Sequence, residues 1–161
     1  GKIYENKKIR LNELKKTQKP IIISTGMSNE KQIKMAVNLL TQNNLSILHC
    51  NSSYPSPSHQ LNLNYIKKLK SLFKKSVIGY SGHEMNLVSS VASVILGARI
   101  IERHITLDKS MWGTDQRSSI EPFGFARLIK DIRIVEMSLG KAKKIVYPEE
   151  KKIMKKLRKY L

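Results

Sequence analysis

The sequence predicts an α/β fold in which parallel strands alternate with helices. Four short apolar segments, rich in β-branched residues, are each followed by a longer segment whose apolar residues recur with a helical period. Such alternation requires crossover connections, so the strands are expected to be parallel. Two architectures satisfy the pattern: an open doubly wound sheet, and four consecutive βα units that form half of an eight-stranded barrel.

The predicted elements follow one another with short connections. The four strands are expected at residues 21–23, 46–49, 76–80 and 99–105. The helices that follow them are expected at residues 30–40, 61–73, 86–96 and 121–139, and one more helix near residues 11–17 precedes the first strand. Gly97 and Gly140 stand where the third and fourth of these helices should end.

Several classes of protein lose support because their sequence signals are missing. No Gly-x-Gly-x-x-Gly follows a predicted strand and no Gly-x-x-x-x-Gly-Lys-[Ser/Thr] occurs, which argues against dinucleotide and P-loop sites. No apolar run approaches the roughly 18 residues of a membrane span, so no membrane partner is expected. Cys50 is the single cysteine, which excludes a disulfide within the chain and makes the reducing cytoplasm the expected compartment.

The chain is strongly basic. Thirty Lys and Arg residues oppose twelve Asp and Glu residues, for a formal net charge of +18. Such an excess raises nucleic acid as a partner, but the lysines lie in pairs along the helical segments and are not interleaved with aromatic residues. Solvated helix faces are therefore the favoured interpretation and a nucleic-acid surface the less favoured one. An anionic small substrate would also be attracted by this charge.

Polar side chains with catalytic potential cluster at the predicted ends of the strands. In chain order, they are Ser24 after the first strand, His49, Ser52 and Tyr54 at the second, Ser81 and His83 at the third, and His104 and Asp115 at the fourth. If the strands are parallel, their carboxyl ends meet at one face, where α/β proteins bind ligands. We therefore expect most of these side chains to converge.

Two histidines are the strongest candidates among them. His83 and His104 are separated by one βα unit, so adjacent strands could bring their imidazoles to one divalent cation. Spacing alone favours the alternative, two hydrogen-bonded loop histidines. Asp115 could orient a hydroxyl or water, or could simply form an Asx turn. His49 is expected to be packed in the fold, and His59 to be exposed.

Five segments give the sequence a specific resemblance. They are KPIIISTGM at 19–27, LHCNSSYP at 48–55, GYSGHE at 79–84, GARIIERHITLD at 97–108 and GTDQRSSIEP at 113–122. In this order they resemble the sialic acid synthase family, which includes N-acetylneuraminate synthases and relatives that make phosphorylated or legionaminic-type sugars. The resemblance implies that residues 19–148 form the C-terminal half of a (β/α)8 barrel, the TIM barrel.

The same resemblance implies a reaction and a set of roles. The family condenses phosphoenolpyruvate with an N-acyl-hexosamine to a nine-carbon 2-keto acid, releasing phosphate, with a divalent metal that is commonly Mn²⁺. The metal ligands would be His83 and His104. The substrate contacts would be Ser24 for the phosphate, Ser81 and Ser52 for the carboxylate and Tyr54 for the sugar, with Asp115 beside the reacting aldehyde.

The chain departs from the family pattern at three positions. Gly82 stands where many bacterial members have Asp, Ser52 replaces a common Asn, and Gln116 replaces a common His. Four further βα units and the C-terminal antifreeze-like domain of many members have no counterpart here. Residues 1–18 match a preceding helix and linker, and residues 149–161 predict a basic helix with Ile153, Leu157 and Leu161 on one face.

These differences lead to a definite functional expectation. The chain should carry the metal site but have little synthase activity alone, unless the missing half-barrel is supplied or two copies assemble as a homodimer. The alternatives are a basic nucleic-acid-binding module and a non-catalytic remnant that does not bind the metal.

Overall fold

The computed structural model describes residues 2–40 and 44–158, and the side chains of all of these except residues 2–8 and 117. The strands are β1 (Ile21–Ser24), β2 (Leu45–Cys50), β3 (Val77–Gly82) and β4 (Ile101–Arg103). The α-helices are α1 (Lys2–Lys16), α2 (Glu30–Leu40), α3 (Tyr65–Leu72), α4 (Val88–Ile95), α5 (Pro122–Leu139) and α6 (Pro148–Leu157). Two 3₁₀ turns lie at Ser58–Gln60 and Gln116–Ser118.

The four strands form one parallel sheet in the order β1-β2-β3-β4. Each strand is hydrogen-bonded to its sequence neighbour, as successive right-handed βα units require. The doubly wound alternative needs a reversal of strand order, and the described strands have none. The predicted α/β class and the half-barrel are therefore confirmed.

The core lies between the convex face of the sheet and the helices. Alternate strand residues point to opposite faces, so Leu45 and Ile47 of β2 and Ile78 and Tyr80 of β3 face the helices. Buried residues of α2 and α3 complete this layer; they are Ile33, Val37, Leu40, Ile66 and Leu69. The strand residues that alternate with these, such as Ile22 and Ser24 of β1, Ser81 of β3 and Glu102 of β4, therefore face the concave side.

The sheet is strongly curled toward this concave side. Ser24 at the end of β1 donates a hydrogen bond to Glu102 of β4, with 3.1 Å between Oγ and Oε1. In a flat sheet these strands would be about 14 Å apart, three spacings of roughly 4.8 Å. The contact requires curvature that brings the first and fourth strand ends together across the concave face.

Several predicted boundaries were wrong by a few residues. Helix α3 begins at Tyr65 rather than 61, because a 3₁₀ turn and Asn62, with a φ of 47°, precede it. Strand β4 ends at Arg103, and Ile105 instead forms an isolated parallel bridge with Ile120. Helix α1 is longer than predicted.

The basic C-terminal segment was predicted as a helix, and α6 is found there. Its apolar residues Ile153 and Leu157 are exposed. Leu161, predicted on the same face, lies outside the described residues. Across the described parts of the chain, no helix combines the length and apolar character needed to cross a membrane.

Truncation of Leu69 tests the position of the core. Leu69 is fully buried in α3, so Leu69→Ala should lower the free energy of unfolding by about 2–5 kcal/mol through lost burial and a residual cavity. The matched variant Leu157→Ala removes the same atoms from an exposed helical position and should cost no more than about 0.5 kcal/mol. Urea denaturation measures both, and equal losses would contradict the assigned core.

Candidate functional site

The concave face gathers most of the predicted polar residues. The last paired residues of β2 and β3 are Cys50 and Ser81, and those of β3 and β4 are Gly82 and Arg103. The carboxyl ends of these three strands therefore lie side by side. His83 and His104 follow immediately, and the loop carrying Tyr54 folds over them. The expected convergence at the carboxyl ends of the strands is therefore found.

Three aromatic rings form a compact triangle at this edge. The ring centroids of His83 and His104 are 5.2 Å apart. Tyr54 lies 5.4 Å from the His83 ring and 5.2 Å from the His104 ring. The two imidazoles are thus neighbours with no packed core between them.

Backbone contacts orient His83. Its Nδ1 lies 2.7 Å from the carbonyl oxygen of Asn51, and a carbonyl can only accept, so Nδ1 carries the proton. The neutral ring then leaves Nε2 with a free lone pair, the arrangement seen in metal-binding histidines. The Cys50 sulfur approaches the same Nδ1 at 3.8 Å and packs against the ring.

Asp115 is linked to both His104 and Tyr54. Its Oδ2 lies 3.9 Å from His104 Nδ1, and both side chains are about half exposed, at 58% and 42%. The Tyr54 hydroxyl donates to the Asp115 backbone carbonyl at 2.6 Å, which attaches the Tyr54 loop to the loop after β4. Asp115 is therefore beside the histidine pair, as predicted, rather than isolated in its turn.

Glu102 is a candidate functional residue that the sequence reasoning missed. Its Oε1 accepts a hydrogen bond from Ser81 Oγ at 2.7 Å and from Ser24 Oγ at 3.1 Å. Glu102 precedes His104 by two residues, so both side chains leave the backbone on the same face. That two-residue spacing was the sequence signal from which Glu102 could have been identified. It places the Glu102 carboxylate on the concave face near Ser24 and Ser81, two of the predicted substrate-binding residues.

Ser52 occupies a different place from the other serines. It lies against Gly26, where an added Cβ would be only 2.0 Å from Ser52 Oγ. Glycine at 26 therefore permits the loop after β2 to approach the loop after β1. Ser52 borders this junction, whereas Ser24 and Ser81 meet at Glu102.

The donor set fits a divalent metal with two protein ligands. The described residues include no cluster of three or more His, Cys, Asp or Glu residues suited to a metal. Two neighbouring imidazoles, one oriented through its Nδ1 by the Asn51 carbonyl, would leave the remaining coordination positions to water or substrate. This suits a catalytic metal, which needs open positions, better than a closed structural site.

The other histidines have the environments expected of them. His49 is buried on the convex side, with Nε2 2.6 Å from the Leu61 carbonyl and its ring near Tyr65 and Tyr80. Burial lowers the pKa of His49, although the Leu61 carbonyl partly opposes this. His59 is exposed.

A cavity of about 650 Å³ lies on the convex side, between the N-terminal ends of α2 and α3, and His49 lines it, whereas the other predicted polar residues of the strand ends do not. Its rim carries Glu30, whose two oxygens bind Lys34 at 2.7 Å and Lys68 at 2.6 Å. These lysine contacts lower the pKa of Glu30 to about 2. The histidine pair lies on the other side of the sheet, on its open concave face.

Comparisons with known proteins agree with this geometry. The model of the NeuB family matches residues 4–144. The N,N'-diacetyllegionaminic acid synthase of Campylobacter jejuni is 40% identical over 156 residues, covering 94% of this chain and 46% of that protein. Human N-acetylneuraminate-9-phosphate synthase is 39% identical over 149 residues, covering 91% and 42%. The chain thus spans a little under half the length of these relatives.

A solved structure shares the fold. The N-acetylneuraminic acid (sialic acid) synthetase of Leptospira borgpetersenii serovar Hardjo-bovis, in complex with citrate, superposes with a TM-score of 0.81 at 30% identity. The match covers 95% of this chain and 54% of that one.

Burial of His49 predicts a pH-dependent stability. Because its folded pKa lies below the ordinary value of 6.5, the unfolded chain binds a proton that the folded chain does not, once the pH falls below about 6.5. Stability should be complete above that pH and decrease toward the lower folded pKa, by at most about 1.4 kcal/mol per pH unit. His49→Gln should flatten this dependence, whereas His59→Gln, at an exposed position, should retain it. Urea unfolding at pH 7.5 and 5.5 checks the difference, and identical slopes for all three proteins would contradict it.

Proposed function

Because the chain belongs to the NeuB family, we propose that it contributes to a synthase that condenses phosphoenolpyruvate with an N-acyl-hexosamine resembling N-acetylmannosamine. A carbon–carbon bond forms between the enol carbon and the sugar aldehyde, water adds to the former enol C2, and phosphate leaves with C–O cleavage. The product is a nine-carbon 2-keto acid. The observation that carries the proposal is the His83–His104 pair, 5.2 Å apart at the carboxyl ends of β3 and β4.

The metal ligands in this proposal are His83 and His104, and the ion is Mn²⁺. When bound, such an ion supplies a Lewis acid that polarises the aldehyde oxygen of the sugar. The orientation of His83 supports the assignment, because the contact of Nδ1 with the Asn51 carbonyl leaves Nε2 as the nitrogen that can bind a metal.

The hydroxyl-bearing residues are proposed to position the substrates. Ser24 and Ser81 have rotatable hydroxyl donors on the concave face, suited to the phosphate and carboxylate oxygens of phosphoenolpyruvate. Glu102, which holds both hydroxyls now, would keep them close enough to bind one substrate together. Ser52 would contribute to the carboxylate site from the neighbouring loop.

Tyr54 and Asp115 are proposed to serve the sugar. The Tyr54 ring packs against both histidines and its hydroxyl is attached to the loop of Asp115. The Asp115 carboxylate is exposed beside His104, where it can orient a hydroxyl or the attacking water. The formal charge of +18 would draw the anionic phosphoenolpyruvate toward the site.

The open concave face supports a requirement for more protein. Ile22 and Val77 are 56% and 46% exposed, and a complete barrel fills its interior with side chains of this kind. We propose that turnover, in the cytoplasm, needs a second half-barrel, either the remaining βα units of the longer relatives or another copy of this chain.

Metal binding is the first test. Calorimetric titration of the purified chain with MnCl₂ should detect one saturable binding site. His83→Ala or His104→Ala should lower the Mn²⁺ affinity by more than about 100-fold, because removing a ligand costs more affinity than removing a residue that only contacts a ligand. His59→Ala is the matched control, because it removes an exposed imidazole. Unchanged binding in the first two variants would reject the proposed ligands, and absent binding in the unaltered chain would favour a non-catalytic remnant.

Activity is the second test. The monomeric chain should release no phosphate from phosphoenolpyruvate and N-acetylmannosamine above the His83→Ala background, because half of the barrel wall is open to water. Sedimentation velocity at the assay concentration establishes the monomer. Sustained turnover by that monomer, abolished in His83→Ala, would disprove the need for a second half-barrel while supporting the reaction.

A further inference from the structure

Resting on the proposed function, we propose that the buried Glu84–Arg103 ion pair is a clamp that sets the spacing of the two metal-binding histidines. Glu84 directly follows His83, and Arg103 directly precedes His104. Arg103 Nη1 lies 2.8 Å from Glu84 Oε1, and each side chain is only 1% exposed. The pair is a positioning device, because it acts through the neighbouring imidazoles.

The clamp begins where the sheet ends. The last registered pair of β3 and β4 is Gly82 with Arg103, so both histidines lie beyond the backbone ladder. The backbone carbonyl of His83 accepts a hydrogen bond from the Ser56 N–H at 3.1 Å, and that of His104 accepts one from the Ile120 N–H at 2.8 Å. Neither bond joins the two histidine segments to each other, whereas the Glu84–Arg103 pair does.

Arg103 is held by several acceptors at once. Its Nη1 also donates to the Asn86 carbonyl at 3.0 Å and to Ser90 Oγ at 2.8 Å, and its Nη2 donates to the Glu84 backbone carbonyl. The guanidinium therefore binds both the side chain and the backbone of Glu84. A planar group with fixed donors restricts geometry more than the point charge of a lysine can.

Glu84 is equally well fixed from its own side. Tyr80 donates to Oε2 at 2.8 Å and Ser90 donates to Oε1 at 3.1 Å. Burial, and then the charge of Glu84, raise the pKa of Tyr80, so the phenol keeps the proton that it donates. Gly82 leaves room for this carboxylate, because a Cβ there would lie 2.7 Å from Glu84 Oε2.

Stability alone does not account for such a pair. Burying two charges carries a large desolvation cost, and well-packed apolar residues often replace buried ion pairs without loss of stability. What an apolar pair cannot supply is a set of directional bonds between two particular points of the backbone. Here those points are the residues adjoining His83 and His104.

The decisive variant replaces both charges together. Glu84→Met with Arg103→Met leaves no uncompensated buried charge, so the chain should fold, as judged by urea denaturation. Its affinity for Mn²⁺, measured by calorimetry, should fall by about tenfold or more, the usual effect of losing a partner behind the ligands. In the metal-free protein, the NOE between the ring protons of His83 and His104 should weaken or disappear.

A matched control separates the clamp from ion pairs in general. Arg133 and Glu136 of α5 form an exposed pair at 2.6 Å, and the same two Met substitutions there should leave the NOE and the Mn²⁺ affinity unchanged. Arg103→Lys keeps the positive charge but loses the planar guanidinium with its fixed donors. This variant should fold and show an intermediate loss of both the ring-to-ring NOE and the Mn²⁺ affinity. It also decides the question if the double Met variant fails to fold.

The outcomes separate the clamp from the proposed function. Folded clamp variants that keep both the ring-to-ring NOE and the original Mn²⁺ affinity would overturn the clamp and leave the metal site standing. An unaltered chain that shows the NOE but binds no Mn²⁺ would overturn the metal site, and loss of the NOE in the variants would still establish the clamp.

Discussion

The parallel register of a tightly curled sheet is the constraint on which the site depends. Each strand pairs with the next in sequence, so every carboxyl end points to the same edge. Curvature then brings Ser24 of the first strand within hydrogen-bonding distance of Glu102 of the fourth, at 3.1 Å. In a flat sheet the same residues would line an edge but could not act on one molecule. The curl converts a row of strand ends into a concave site.

Strand alternation divides the chemistry between two sides of this sheet. Along β4 and its extension, Glu102 and His104 face the concave side, whereas Arg103 between them enters the buried layer. Adjacent charged residues thus serve different surroundings. Glu102 accepts hydrogen bonds from Ser24 and Ser81 on the concave side, while Arg103 connects β4 to the segment after β3. Glu102, Arg103 and His104 are consecutive polar residues that look like a solvated stretch. Because successive side chains of a strand point to opposite faces, they are divided between the two sides of the sheet.

The sequence was sufficient for the order of elements and for the histidine pair. Apolar periodicity locates helices well because the residues on a buried helical face recur every three or four positions, as Ile33, Val37 and Leu40 do in α2. His83 and His104 could be paired because one βα unit separates them and parallel neighbours align their ends. The metal-binding role proposed for them came from the resemblance, since spacing alone favoured two loop histidines.

Other features could not be predicted because they depend on contacts distant in sequence. Glu84 gives no local sign of being buried, since its partner Arg103 is 19 residues away. Glu102 is recognisable only once the phase of β4 is fixed, and the strand is three residues long. The start of α3 was misplaced because Leu61 is buried outside the helix, so its apolar character imitated helical periodicity.

The charge distribution is compatible with the proposed binding of an anionic substrate and a metal cation in one site. Lysines on the outer helices, such as Lys67 and Lys70 of α3, are exposed and give the chain its basic field. That field attracts anions over about a Debye length, roughly 10 Å at 0.1 M salt. The concave face also carries carboxylates: Asp115 Oδ2 lies 3.9 Å from His104 Nδ1, and Glu102 accepts hydrogen bonds from Ser24 and Ser81. Because Arg103 is already neutralised by Glu84 behind the sheet, it does not cancel these carboxylates. The long-range attraction of phosphoenolpyruvate and the short-range binding of a metal that we propose can therefore coexist, because different residues at different distances produce them.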